Sequence, residues 1–97
     1  MFVVLAEEWI IPGRRPELVA AHEETSATLR AQAGFRGGRL LHFAGGPYRY
    51  LYETSWDSRE DWERFWSGTD FAGYRETIDR WLSAPFSLDL YDVKTEA

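Results

Sequence analysis

Residues 2 to 11, FVVLAEEWII, alternate between two faces that are both largely apolar: Phe2, Val4, Ala6 and Ile10 on one, Val3, Leu5, Trp9 and Ile11 on the other. The stretch is rich in β-branched and aromatic residues and Pro12-Gly13 ends it, which predicts a strand from Phe2 to Ile11. A strand with two apolar faces belongs at the centre of a sheet, covered on both sides. The period then lengthens. Leu18, His22, Thr25 and Leu29 recur at helical spacing behind Pro16, predicting a helix from Pro16 to about Ala33 that Gly34 stops. FRGGRLLHFA reads as a second strand, Gly45 to Pro47 as a hairpin turn and YRYLYETSW as a third strand.

Ser58, with Asp61 three residues on, is a good N-cap for a second helix whose Trp62, Phe65 and Trp66 share one face. Ser67-Gly68 interrupts it and Thr69-Asp70 can recap it. Phe71, Tyr74, Ile78 and Leu82 then carry the apolar stripe to about Ser83. Pro85 precedes a last strand, FSLDLYDV. The order βαββαβ predicts a ferredoxin-like α+β fold with a four-stranded antiparallel sheet, strands one and three central and both helices on one face. The other face would be bare in a monomer.

With 97 residues and neither repeats nor a linker, one domain spanning 1–97 is expected, and so small a domain often gains stability by pairing with its own copy. Sixteen acidic against eleven basic residues give a net charge of −5, which argues against nucleic acid as a partner. The absence of cysteine removes thiolate chemistry. The apolar start is cut short by Glu7 and Glu8, without a charged leader, so a cytoplasmic protein without a membrane partner is expected.

Candidate chemistry divides between packing and function. Trp62, Phe65 and Trp66 fit either a core-facing stripe or a stacking wall for a planar ligand. Tyr48, Tyr50 and Tyr52 alternate along the third strand as dimer packing, as pocket lining or, against the charge balance, as an RNA-stacking platform. His42 reads first as a surface or interface residue. His22, on the stripe with Leu18 and Leu29, is either a satisfied core histidine or a proton acceptor. Glu7 and Glu8 interrupt the first strand, so one points toward the helices and the other away. Pairing with Arg39, Arg49 or Arg75 is the plainer reading; an unpaired buried carboxylate would instead serve as a base. Glu60 with Arg64 and Glu76 with Arg80 read as surface i,i+4 pairs.

IPGRRPELVAAHEE, GFRGGRLLHF and YLYETSWDSREDWERFW, with PFSLDLYDV at the end, resemble the antibiotic biosynthesis monooxygenase domain of the dimeric α+β barrel superfamily over essentially the whole chain. The resemblance implies a homodimer whose sheets close into a barrel, and a pocket between sheet and helices in each subunit. It implies a cofactor-independent monooxygenase, or a related polyketide-tailoring enzyme, acting with molecular oxygen on a polycyclic phenol or anthrone. An aromatic polyketide cyclase or a non-catalytic binding subunit are the alternatives. The haem-degrading branch resembles a pattern with Asn on the first strand and a Trp and an axial His on the second helix. This chain has no Asn, Phe65 falls at the Trp position and Arg75, beside Tyr74, at the His position, so neither haem nor metal is expected. On this reading His22, Tyr74 and Glu8 are the expected catalytic residues, and Trp62, Phe65, Trp66, Tyr52, Arg75 and His42 the expected substrate contacts.

Overall fold

The computed structural model describes residues 1–97. The chain runs β1 (Phe2–Trp9), α1 (Arg15–Arg30), β2 (Phe35–His42), β3 (Arg49–Trp56), α2 (Arg59–Trp66), α3 (Thr69–Asp79) and β4 (Ser87–Asp92). The four strands form one antiparallel sheet in the order β2-β3-β1-β4, so β1 and β3 are central as the sequence predicts. No helix is long and apolar enough to cross a membrane.

The alternation along β1 and β3 divides the sheet cleanly. Phe2, Val4, Ala6, Glu8, Tyr50, Tyr52, Thr54 and Trp56 all point toward the helices and are all buried. α1 lays Leu18, Ala21, His22, Thr25 and Leu29 onto this face; α2 adds Trp62 and Phe65, and α3 adds Phe71, Tyr74 and Ile78. No helix covers the opposite face. There Val3, Leu5, Leu41 and Leu51 are half-buried, Trp9 and Tyr91 are about half exposed, and Glu7–Arg49 and Arg39–Glu53 ion pairs lie among them.

Several boundaries differ from the sequence pattern for local reasons. β1 stops at Trp9, and Ile10 keeps one in-register bond to the Tyr48 carbonyl while forming an isolated bridge with Leu82 on its other side. α1 ends at Arg30 rather than Ala33, and α3 at Asp79 rather than Ser83, where Leu82 turns back to that bridge. Thr69-Asp70 does not recap the second helical segment. Gly68 is the N-cap without a side-chain bond, and Asp70 instead accepts from Gln32 Nε2 at 3.0 Å. Tyr48 falls outside β3 and is 48% exposed, whereas Tyr50 and Tyr52 lie beneath α1 and its flanks. The tyrosines therefore form neither a ladder across the open face nor an open stacking platform. The surface pairs also differ: Arg59 binds Glu63 and Arg64 binds Asp61, so neither Glu60–Arg64 nor Glu76–Arg80 forms.

Ser58 caps α2 as predicted, accepting from the Asp61 amide at 3.2 Å and donating to its carboxylate at 2.9 Å. The same Asp61 side chain fills the space above Gly34, which turns the chain out of α1 with φ +80°; a Cβ on Gly34 would sit 2.2 Å from Asp61 Oδ2. Gly34→Ala therefore combines a left-handed backbone with displacement of a helix cap. It should cost about 1–2 kcal/mol from the backbone alone and more from the collision. A denaturant midpoint unchanged from the parent protein would show that the loop relaxes freely.

Candidate active site

The two carboxylates that interrupt β1 have opposite fates, set by the strand's alternation. Glu7 points to the open face, where it accepts from Trp9 Nε1 at 2.8 Å and from Arg49 at 3.1 Å. Glu8 points inward and is completely buried. Its partner is not an arginine: Oε1 lies 2.8 Å from Nε2 of His22, itself only 5% exposed. This is the structure's sole buried ion-pairing contact, joining β1 to the middle of α1. Glu8 Oε2 and His22 Nδ1 are both buried without a partner. With Nε2 carrying its hydrogen toward Glu8, Nδ1 keeps a free lone pair, and the carboxylate fixes the ring's orientation.

Tyr52 stacks on the His22 ring with centroids 4.1 Å apart and planes 29° from parallel. Burial raises the pKa of Tyr52, the Glu8 charge adds to the rise, and Arg30 opposes it. Tyr74, on α3, is raised well above 10.0, again chiefly by burial and then by Glu8 and Tyr52. Both phenols therefore remain protonated at neutral pH.

Space around this cluster is unevenly divided. Between sheet and helices lies a void of about 20 Å³, walled by Tyr52, Trp56, Trp62, Phe65, Tyr74 and Phe86 among others. That is room for about one water-sized molecule. The pocket expected there for a multi-ring substrate is closed in this conformation, because aromatic rings fill it. Two open grooves run along the seam between α1 and β2 instead. One, of about 280 Å³, is lined by His22, Glu23, Ser26, Gly38, Leu40 and Tyr52; the other, of about 430 Å³, shares Ser26, Gly38 and Tyr52 with it and is lined as well by Arg30, Phe35 and Arg36. Tyr52 borders all three spaces. A Cβ on Gly38 would lie 2.8 Å from the Tyr52 hydroxyl, so the bare glycine lets that hydroxyl stand at the seam.

The structure thus gathers His22, Glu8, Tyr52 and Tyr74, and sets Trp62 and Phe65 around the adjoining void. Trp66 does not line the void; it packs on Trp62 and Phe71 and is 37% exposed. Arg75 bonds Asp79 at 3.3 Å and lies over the Phe86 and Trp66 rings. His42 is apart from the cluster, on the edge strand β2, stacked on Tyr50 at 4.6 Å and held between Arg15 at 3.3 Å and the Pro47 carbonyl at 3.3 Å. Sequence reasoning missed Gly38, whose role depends on cross-strand register, and the Glu8–His22 contact, although the inward phase of both residues pointed to it. No three His, Cys, Asp or Glu side chains cluster where they could hold a metal ion.

Residues 1–77 match the family model described as antibiotic biosynthesis monooxygenase. No curated protein matches the chain. A Bordetella bronchiseptica protein assigned to the same class of monooxygenase superimposes with a TM-score of 0.88 at 18% identity, over 97% of each chain. SnoaB of Streptomyces nogalater, a cofactor-independent oxygenase, gives 0.80 at 16% identity over 98% of this chain and 95% of its own. An R26S mutant of MhuD, with two manganese protoporphyrin IX bound per active site, gives 0.83 at 23% identity over 100% and 98%. At these identities the similarities establish a shared fold.

The raised tyrosine pKa values have a measurable consequence. Above pH 10.0 an unfolded tyrosine loses its proton while folded Tyr74 keeps it, so the unfolded state binds fewer protons and stability falls as pH rises. Tyr74→Phe should lose less stability than the parent protein between pH 10.0 and the onset of alkaline unfolding. Parallel stability curves for the two proteins in that range would contradict the burial effect.

Proposed function

The chain belongs to the antibiotic biosynthesis monooxygenase family, and we propose that it is a cofactor-independent oxygenase acting on a polycyclic phenol or anthrone. The observation that carries this reading is the buried Glu8–His22 pair, with an unpartnered Nδ1 on a ring that also borders an outer groove. An anthrone at the seam loses a proton from its activated methylene carbon to His22 Nδ1 once movement of the stacked Tyr52 uncovers that buried nitrogen, and the electron-rich anion then transfers electrons to molecular oxygen. A carbon–oxygen bond forms, a proton returns to the peroxide from a phenol such as Tyr52 or Tyr74, and loss of water leaves the quinone. In sum, anthrone and dioxygen give quinone and water. The protein contributes orientation, exclusion of water and proton transfer. SnoaB, with the same fold, is described as a cofactor-independent oxygenase, which supports this chemistry. Of the other expected contacts, Trp62 and Phe65 would meet substrate only if the void opens, Trp66 and Arg75 pack outside it, and His42 lines a separate groove of about 270 Å³ with Phe43, Arg49 and Tyr50.

His22→Ala would leave Glu8 buried and alone, at a cost of about 3–5 kcal/mol, so it tests stability as much as chemistry. His22→Gln keeps a donor toward Glu8 but has no basic nitrogen. Oxygen uptake with an anthrone should fall by roughly a hundredfold or more in His22→Gln, with thermal melting close to the parent. Full activity in that variant would exclude His22 as the base.

The homodimer rests on the uncovered sheet face, where Val3, Leu5, Leu41, Leu51, Trp9 and Tyr91 form an apolar field of the kind that marks an interface. Sedimentation at micromolar concentration should give twice the chain mass of 11.3 kDa. A monomer that persists as concentration rises would remove the dimer.

A further inference from the structure

We infer that the larger groove on the α1–β2 seam is the recognition site for an acidic, planar aromatic molecule, whose carboxylate or ionised phenol is held by Arg30 and Arg36 while its rings lie against Phe35 and Tyr52. The inference rests on the proposed reaction, since it names the class of substrate that the His22 cluster would receive.

The groove measures about 430 Å³, within the usual range of roughly 300–1,000 Å³ for small-molecule sites, and over twenty times the volume of the interior void. Its ionisable lining is cationic apart from the Tyr52 phenol: Arg30 at the end of α1 and Arg36 on β2, with no carboxylate among the lining residues. This runs against the chain's net charge of −5. Most other arginines are already engaged by acids: Arg14, Arg39, Arg49, Arg59, Arg64 and Arg75 all have carboxylate partners within 3.4 Å. Arg30 has none, and Arg36 has only a loose contact with Asp57 at 3.6 Å.

The floor of the groove includes Gly37 and Gly38, where the backbone is bare and a flat ring system approaches closely. Phe35 and Tyr52 supply apolar surface at the sides. Arg30 is close enough to Tyr52 to oppose the rise in its pKa, so a charge held at Arg30 is electrostatically coupled to the proton-transfer cluster. The groove shares Ser26, Gly38 and Tyr52 with the neighbouring one bordered by His22. A molecule anchored by its acid group at Arg30 would extend along the seam toward the base. Guanidinium groups suit this role because they bind carboxylates through two parallel hydrogen bonds.

Calorimetric titration of anthraquinone carboxylate and its neutral carboxamide, at low ionic strength, separates charge recognition from ring stacking. The acid should bind at least about tenfold more tightly than the amide, and Arg30→Gln should abolish most of that preference. Arg80→Gln removes the same charge from the exposed end of α3 and should leave it intact. Equal affinities for acid and amide, or equal losses in the two variants, would overturn the inference. Oxygen uptake distinguishes this from failure of the proposed reaction. A retained acid preference without turnover leaves the groove standing and removes the oxygenase, whereas His22-dependent oxidation of a neutral anthrone without acid preference does the reverse.

Discussion

A fully buried glutamate on a central strand is tolerable only with a partner, and the fold is arranged so that Glu8 has one. The 2.8 Å contact with His22 crosses from the middle of the sheet to the middle of α1 and fixes the helix's rotation as well as its distance. A turn of α1 by one residue would bury the carboxylate alone against apolar neighbours. Two hydrophobic residues of similar volume would pack there at little or no cost in stability, so the pair is expensive to keep if packing were its only use. The unpartnered atoms on both members, Glu8 Oε2 and His22 Nδ1, make a purely structural explanation less economical.

The tyrosines beside the pair depend on it in turn. Tyr52 is pinned between the His22 ring and the glycine at position 38, and its ring separates the filled interior from the open seam. Tyr74 closes the inner side from α3 and feels the same Glu8 charge. Desolvation keeps both phenols protonated, so one apolar enclosure holds two neutral phenols beside the His22 ring. The aromatic packing that creates this low-dielectric setting also closes the interior to anything larger than a water molecule.

The fold was legible because each element carried its own period: two-sided alternation in β1, the Leu18–Leu29 stripe in α1, Ser58 at a cap. The sheet order followed from the element order. Boundaries were less legible where tertiary contacts intervene, as at Ile10, which bridges to Leu82 beyond α3. Among the site residues, the inward phase of Glu8 and His22 could be read from alternation and helical spacing, but their pairing with each other could not, since it depends on how far α1 is shifted along β1. Trp66 shared a period with Trp62 and Phe65 yet does not line the void, lying at the last residue of α2, and Arg75 bonds Asp79 one turn on. Gly38 carried no local signal at all. Its significance arises across the strand, from Tyr52.

β4 pairs along β1 from Ser87 against Glu7 to Asp92 against Phe2, so β1 obtains its second neighbour from a strand that follows it only after α1, β2, β3, α2 and α3. Without that pairing β1 is an edge, with six residues' worth of backbone groups unpaired on one side, and the interior lacks Phe86 and Leu88 from its wall. Closing so long a loop carries an entropic cost that must be met before the pairing offsets it. A nascent chain stopped before residue 87 holds all of the Glu8–His22–Tyr52–Tyr74 residues but none of the strand that seals them from water on the β1 side. The cluster thus acquires its dry surroundings only when β4 docks.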